Sequence, residues 1–217
     1  MSIFSNLFSQ EIKLSDKLDK IGYFDLIDDT VKKELVKKKI DFEYANDENE
    51  YIGKEWLILP NDYYISSVNN LKEYENGSST SDFRAFEVWG SSLFQGEFPD
   101  YLKSAKVVFE KNGLKLEWRD EIFDENTTER IHHRITVNEK EYIIYSGPVS
   151  RDLLGKVMGD YLNTFKDILN DAIQRQGSNL RIVLLTQPEH VEFVLLSPDK
   201  LVEFKKIIGK TKNKLEE

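Results

Sequence analysis

Two adjacent histidines, His132 and His133, are the first residues in this chain whose type suggests chemistry. They lie in a run that predicts a β-strand, and a histidine beside a carboxylate can act as a general base. Successive side chains of a strand point to opposite faces, so the two imidazoles cannot readily bind one metal ion together. Each histidine is therefore a candidate catalytic residue, and an ordinary role in the sheet is the alternative.

Other signatures of catalysis are missing from the sequence. With no cysteine, thiol catalysis and zinc–thiolate sites are excluded. The nucleophile motif Gly-x-Ser-x-Gly is absent, and Trp89-Gly90-Ser91-Ser92 resembles it only superficially. No glycine-rich turn suited to a nucleotide phosphate follows a predicted strand, and His190 lies in a predicted turn where exposure is expected. We expect no cofactor and no metal, and the sequence favours a protein without catalytic activity.

Carboxylates supply the second candidate site. The chain has 39 acidic and 30 basic residues, a net charge of -9, and much of the acid is concentrated in two groups. The groups are Asp41, Glu43, Asp47, Glu48 and Glu50, then Asp120, Glu121, Asp124 and Glu125. They could be solvated loops that keep the protein soluble, or a surface that attracts a basic partner and speeds the encounter with it.

Charge and hydropathy also limit the class of partner and the location. A net charge of -9 repels nucleic-acid phosphates and anionic lipids, so neither nucleic acid nor membrane is an expected partner. No stretch approaches the roughly 20 apolar residues that span a bilayer. Because the N-terminus lacks the features of a secretory signal and cysteine is absent, we expect a cytoplasmic protein.

Helical spacing of apolar residues dominates the N-terminal segment. It predicts helices over residues 3–8, 14–27 and 30–40, the last beginning after the N-cap candidates Asp28 and Asp29. The lysines of the third helix are expected to form a solvated face.

Strand-like runs at 55–59 and 63–68 around Pro60 then predict a hairpin, and residues 76–81 predict a loop. Phe83, Phe86 and Trp89 recur every three residues, which favours a helical turn ending at Gly90, with a strand as the alternative.

The second half contains more distinct patterns. Pro99 predicts the first turn of a helix that ends at Asn112-Gly113, and the long apolar stripe of 151–176 predicts another helix. A last helix is expected from Ser197-Pro198 to Ile208, followed by a frayed tail from Gly209. Strands are predicted over 114–119, 130–137, 141–145, 180–186 and 191–196, with a polar turn at 124–129.

These elements predict an α+β fold in which mostly antiparallel sheets pack against helices, with an N-terminal helical segment. We divide the chain into residues 1–125, a helical segment plus α/β elements, and 126–217, a ββαββα unit, which could also form one continuous domain.

Three functional hypotheses follow from the sequence. The leading one is a non-catalytic, acidic protein-binding module, for example a protein of the bacterial immunity type that neutralises a basic toxin by covering its active site. The alternatives are an enzyme that uses His132 or His133 with a carboxylate in a pocket, and an assembly subunit that docks through Phe4, Leu7 and Phe8.

Overall fold

Two antiparallel sheets and the helices packed on them make up the fold. The computed structural model describes residues 13–45, 55–59, 84–127, 130–186 and 191–217. Its helices are α1 (Leu14–Lys20), α2 (Thr30–Ala45), α3 (Gly90–Phe94), α4 (Phe98–Lys111), α5 (Leu154–Arg175) and α6 (Pro198–Ile208), with a 3-10 turn at Arg151–Leu153. Its strands are β1 (Ala85–Val88), β2 (Trp118–Thr127), β3 (Arg130–Val137), β4 (Lys140–Pro148), β5 (Arg181–Thr186), β6 (Val191–Leu196) and β7 (Leu215–Glu216).

The strands form one four-stranded and one three-stranded sheet. The first has the order β1-β6-β5-β7 and the second the order β2-β3-β4, and every pairing is antiparallel. The α+β class, the antiparallel sheets and the N-terminal helical segment expected from the sequence are confirmed.

A first apolar cluster joins the inner face of the three-stranded sheet to one face of the four-stranded sheet, with α4 and α5 in contact with it. The amphipathic helix α5 contributes a continuous buried stripe that includes Tyr161 and Phe165. Phe165 packs against Phe86 of β1 and Phe193 of β6, with ring centroids 6.4 and 5.4 Å away. This packing holds Tyr161 at a fixed depth beside the three-stranded sheet.

A second cluster covers the opposite face of the four-stranded sheet. Helices α1, α2 and α6 supply it, and Tyr23 stacks on Phe204 with centroids 5.7 Å apart. In β6, Phe193 belongs to the first cluster and Val194 to the second. A strand buried on both faces has an uninterrupted apolar sequence, as β5 and β6 do.

Several local predictions are confirmed. Helix α4 has a proline in its first turn and is followed by Gly113 at φ 73°. The turn between β3 and β4 places Asn138 at φ 43° and Glu139 at φ 67°, the conformation of a tight hairpin. Helix α6 runs as expected, with the Ser197 side chain accepting a hydrogen bond from the Lys200 backbone.

The helical turn predicted from Phe86 and Trp89 is wrong. Residues 85–88 form β1, which pairs with β6 from Ala85 opposite Val194 to Val88 opposite Val191. Gly90 begins α3 instead of ending a helix. The sequence favoured a helix because aromatic residues recur every three positions. Strand β1 is buried on both faces, so it lacks the alternation of polar and apolar residues that would have indicated a strand.

The tail and the acidic turn also differ from expectation. Residues 215–216 pair with β5, so the segment after Gly209 is tied to the sheet. Strand β2 runs to Thr127, so Asp120, Glu121 and Asp124 lie in a strand and not in a loop. Here pairing with β3 outweighs the low strand propensity of acidic residues.

Smaller differences concern the ends of elements. Helix α1 ends at Lys20, α2 continues to Ala45, and β2 starts only at Trp118. Residues 56–59 belong to no strand, so the first arm of the predicted hairpin is wrong. The predictions for residues 3–8, 63–68, 76–81, Phe83 and His190 lie outside the described residues. Within the part of the chain that is described, no helix is both long and apolar enough to cross a membrane.

Candidate functional site

Glu121, His133 and Tyr161 form a hydrogen-bonded line inside the protein. The His133 Nε2 lies 2.9 Å from Glu121 Oε1, and its Nδ1 lies 3.2 Å from the Tyr161 hydroxyl. A carboxylate only accepts hydrogen bonds, so the imidazole proton belongs on Nε2 and Tyr161 donates to Nδ1. Both ring nitrogens are therefore engaged.

Three elements bring these side chains together. His133 is on the inward side of β3, where alternate residues are buried, and Tyr161 is on the buried stripe of α5. The β2–β3 register shifts between Arg119 and Ile122, and Asp120 within this bulge has φ 54°. A bulge redirects the following side chain, and here Glu121 turns towards the imidazole.

Aromatic rings surround the imidazole. Phe98 and Phe123 meet it edge-on, with centroids 5.5 and 5.0 Å away, and Tyr145 stacks on Tyr161 at 5.7 Å. The His133 side chain is 0% exposed and that of Glu121 is 24% exposed. Solvent reaches the carboxylate but not the ring.

Burial sets the protonation states. Burial, with a smaller contribution from the neighbouring His132, lowers the pKa of His133 to about 4. Burial also raises the pKa of Glu121, with a further contribution from the Asp100 carboxylate, and that of Tyr161. The distance between His133 and Glu121 fits either a hydrogen bond or an ion pair. Because the His133 imidazole is neutral at neutral pH, the contact is a hydrogen bond.

This arrangement holds a proton in place more readily than it exchanges one with a substrate. A general base needs a nitrogen within hydrogen-bond reach of the substrate, and His133 has both nitrogens bonded inside the protein. His132, in contrast, is exposed and its Nδ1 lies 3.2 Å from Ser146 Oγ. The two histidines point to opposite faces, as the sequence predicted.

The acidic residues proposed for partner binding have different environments. Asp41 accepts hydrogen bonds from the Ser15 backbone and hydroxyl, at 2.9 and 2.7 Å, and Glu121 turns inward. Asp120 is exposed and pairs with Arg119 at 3.2 Å, while Asp124 is half-buried. The side chains of Glu43 and Glu125, and all of Asp47, Glu48 and Glu50, lie outside the described residues.

Sequence reasoning missed a pair of buried carboxylates. Glu87 of β1 lies directly opposite Glu192 of β6, and they are 5% and 0% exposed. The indole of Trp89 donates to Glu87, and the Leu59 backbone donates to Glu192 at 3.3 Å. The signal in the sequence was a glutamate inside each of the apolar runs Ala85–Val88 and Val191–Leu196.

The outward face of the three-stranded sheet carries exposed apolar side chains. Ile122, Arg134 and Ile143 lie in one row across the three strands, since Ile122 is opposite Arg134 and Arg134 is opposite Ile143. The two isoleucines are 41% and 61% exposed. We call this row and its neighbours the outer sheet face.

A shallow pocket of about 90 Å³ lies at the end of this face. Glu117, Trp118, Arg119, Thr136, Asn138 and Glu139 line it. Among the residues that the structure describes, no three histidine, aspartate or glutamate side chains are grouped so as to hold a metal ion.

Comparisons of this chain with models of protein families, with curated proteins and with solved structures found no match.

Proposed function

We propose that this chain is a non-catalytic protein-binding module that recognises a basic partner through the outer sheet face and the acidic edge beside it. One concrete form is a cytoplasmic protein of the immunity type that covers the active site of a basic toxin. The observation that carries the proposal is the exposed row formed by Ile122, Arg134 and Ile143.

The composition of this row supports binding. Burying apolar surface contributes roughly 25 cal/mol per Å², so two isoleucines left in solvent can contribute to docking. Arginine is enriched at the energetic centres of interfaces, and Arg134 stands between the two isoleucines. A rim of polar groups around such a centre is typical of a protein interface.

Electrostatics supports a basic partner. Strand β2 is at the edge of its sheet and exposes Asp120, and the turn beside it exposes Glu139. The chain as a whole has a net charge of -9, which accelerates encounter with a cationic protein.

The alternatives have less support. The enclosed His133 offers no free nitrogen to a substrate, and Phe4, Leu7 and Phe8 lie outside the described residues. The protein-binding proposal depends on neither.

Affinity capture from the native source, followed by calorimetry at several salt concentrations, tests the proposal. The wild type is compared with Ile122→Thr/Ile143→Thr and with Asp120→Asn, since asparagine tolerates the left-handed backbone at this position. The matched controls are Val107→Thr/Val202→Thr, which changes two exposed valines on α4 and α6, and Asp152→Asn.

We expect a stoichiometric partner whose affinity falls with salt, is weakened by the outer-face variants and is unchanged in the controls. Recovery of no stoichiometric partner, or equal binding by all variants, would overturn the proposal.

A further inference from the structure

We propose that residues 1–12 dock on the exposed side of α2 within the same chain, through the apolar side chains Phe4, Leu7 and Phe8. These twelve residues lie outside the described residues, whereas α2 is described from Thr30 to Ala45. The contact lies on the side of the four-stranded sheet that carries the second cluster, away from the outer sheet face. It is independent of the function proposed above.

Helix α2 has a second apolar side besides the one it buries. Val36 and Ile40 face the second cluster and are 2% and 0% exposed. Val31, Leu35 and Phe42 share a different side, because positions separated by four, seven and eleven residues fall within one narrow arc of a helix. Leu35 is half-buried, while Val31 and Phe42 are 70% and 62% exposed. We call these three side chains the α2 stripe.

The chain enters α1 beside one end of this stripe. In the first turn of α1, the backbone N–H and the hydroxyl of Ser15 donate to the Asp41 carboxylate at 2.9 and 2.7 Å. Asp41 directly precedes Phe42 in α2. Residues 9–13 connect this point to the helix predicted over residues 3–8. Five extended residues span roughly 16 Å, which exceeds the ~10–12 Å diameter of a helix, so the segment reaches the stripe.

The lengths of the two elements also agree. A helix rises 1.5 Å per residue, so Leu35 and Phe42 are separated by roughly 10 Å along α2, and a helix over residues 3–8 is roughly 9 Å long. Because the chain approaches from the Phe42 end, Phe8 is placed beside Phe42 and Phe4 beside Leu35. Val31 extends the apolar surface by one further turn.

Other exposed apolar side chains are less suited to this segment. Ile122 and Ile143 lie on the outer sheet face, and α1 lies on the opposite side of the four-stranded sheet from the first cluster. Val107 and Val202 stand on separate helices, α4 and α6. The α2 stripe is therefore the surface that combines a row of apolar side chains with the entry of the chain into α1.

The composition of the segment fits this surface. A helix as short as residues 3–8 is not stable in water unless an apolar face packs on the protein. Residues 1–12 contain no lysine or arginine and include Glu11. Lys38 stands in the α2 stripe between Leu35 and Phe42. Docking therefore brings no basic side chain against this lysine, and its aliphatic stem can cover part of the segment.

Paramagnetic relaxation in the full chain measures the contact. Because the protein has no cysteine, one introduced cysteine carries the only spin label. Glu34→Cys places the label beside Leu35 on α2, and Lys156→Cys on α5 is the control, since these side chains are 56% and 72% exposed. We expect the Glu34→Cys label to broaden the amide signals of residues 3–8, and the Lys156→Cys label to leave them sharp.

Variants of the α2 stripe complete the test. Val31→Ser/Phe42→Ser should remove the broadening and speed amide exchange in residues 3–8 about tenfold, because the segment loses its apolar contact. Both positions are exposed, so exchange in the rest of α2 should stay unchanged. Val107→Ser/Val202→Ser is the matched control on α4 and α6 and should behave as the wild type. Phe42→Leu keeps an apolar side chain and should retain the broadening.

A mixture of spin-labelled, unenriched protein with isotope-enriched wild type separates a contact within one chain from a contact between copies. We expect no broadening of residues 3–8 in this mixture. Broadening in the mixture would mean that the segment docks on a second copy and would overturn the intramolecular contact. Signals that stay sharp with the Glu34→Cys label, or broadening that survives Val31→Ser/Phe42→Ser, would also overturn it.

Discussion

Glu121 Oε1 lies 2.9 Å from His133 Nε2. Burial raises the pKa of Glu121 and lowers that of His133, and both shifts favour the uncharged form of the group. A charged pair would have to be desolvated at this depth, whereas a neutral imidazole can bridge the carboxylate and the Tyr161 hydroxyl without that cost. The line of three residues thereby joins β2 and β3 to α5. We interpret it as a structural connection that keeps the outer sheet face in register, and it can be tested through stability.

Tyr161→Phe should destabilise the protein by about 1–3 kcal/mol, because it leaves the buried Nδ1 of His133 without a hydrogen bond. Tyr145→Phe is the matched control, since its hydroxyl donates to the Pro148 carbonyl at the surface. The control should lose less than about 1 kcal/mol. Urea unfolding measures both values, and equal losses would contradict a structural role for the buried hydrogen bond.

The low pKa of His133 predicts a loss of stability in acid. Because its pKa is about 4 in the fold and about 6.5 in the unfolded chain, the unfolded state takes up the proton first as pH falls. The destabilisation should develop from about pH 6.5 down to about pH 4 and reach about 3 kcal/mol. The raised pKa of Glu121 acts in the opposite direction and offsets part of this loss.

Urea unfolding of the wild type and of His133→Phe across this pH range checks the prediction. The variant lacks the titrating imidazole, so its free energy of unfolding should fall less steeply between pH 6.5 and pH 4. Parallel curves for the two proteins would show that His133 does not cause the acid sensitivity.

The sequence predicted best where neighbouring residues determine the structure. Ser197 and Pro198 define the start of α6, and Asn138-Glu139 defines a tight turn, because each signal acts within a few residues. The amphipathic stripe of α5 was equally clear, since 22 residues repeat the same period.

The candidate sites could not be predicted in this way, because long-range contacts create them. Glu121 contacts His133 because the strand bulges at Asp120, and the local sequence does not indicate this bulge. Glu87 and Glu192 meet only because β1 pairs with β6 across more than a hundred residues of chain. What the sequence did predict was the opposed orientation of His132 and His133, which follows from strand geometry alone.

Asp41 was considered as a partner-binding residue, and its contacts predict an effect on stability. It accepts hydrogen bonds from the backbone and hydroxyl of Ser15 in the first turn of α1, where Lys13 provides no side-chain cap. Asp41→Ala should therefore cost about 0.5–2 kcal/mol, the range for loss of an N-cap. Glu34→Ala changes an exposed acid on the same helix and should cost much less. If the two variants unfold with equal free energies in urea, Asp41 does not cap α1.

Asn213 anchors the segment that follows α6. Its side chain accepts from the Leu57 backbone at 2.7 Å and donates to the carbonyls of Leu57 and Thr186 at 3.1 and 3.0 Å. Asn213→Ala should destabilise the protein by about 2–3 kcal/mol and speed amide exchange in β5, because it leaves buried backbone groups unsatisfied. The exposed Asn179→Ala is the control. Unchanged exchange in β5 would mean that the tail is held without this side chain.

Replacing Ile122 and Ile143 by threonine should separate binding from stability. Both side chains are exposed on a strand, and threonine is β-branched like isoleucine and favours strands, so the free energy of unfolding should change by less than about 1 kcal/mol. Thermal and urea unfolding measure this change beside Val107→Thr/Val202→Thr. A loss of several kcal/mol would mean that the isoleucines are part of the hydrophobic core and are not available to a partner at the outer sheet face. Retained stability makes any loss of partner affinity in the same variant a property of the surface.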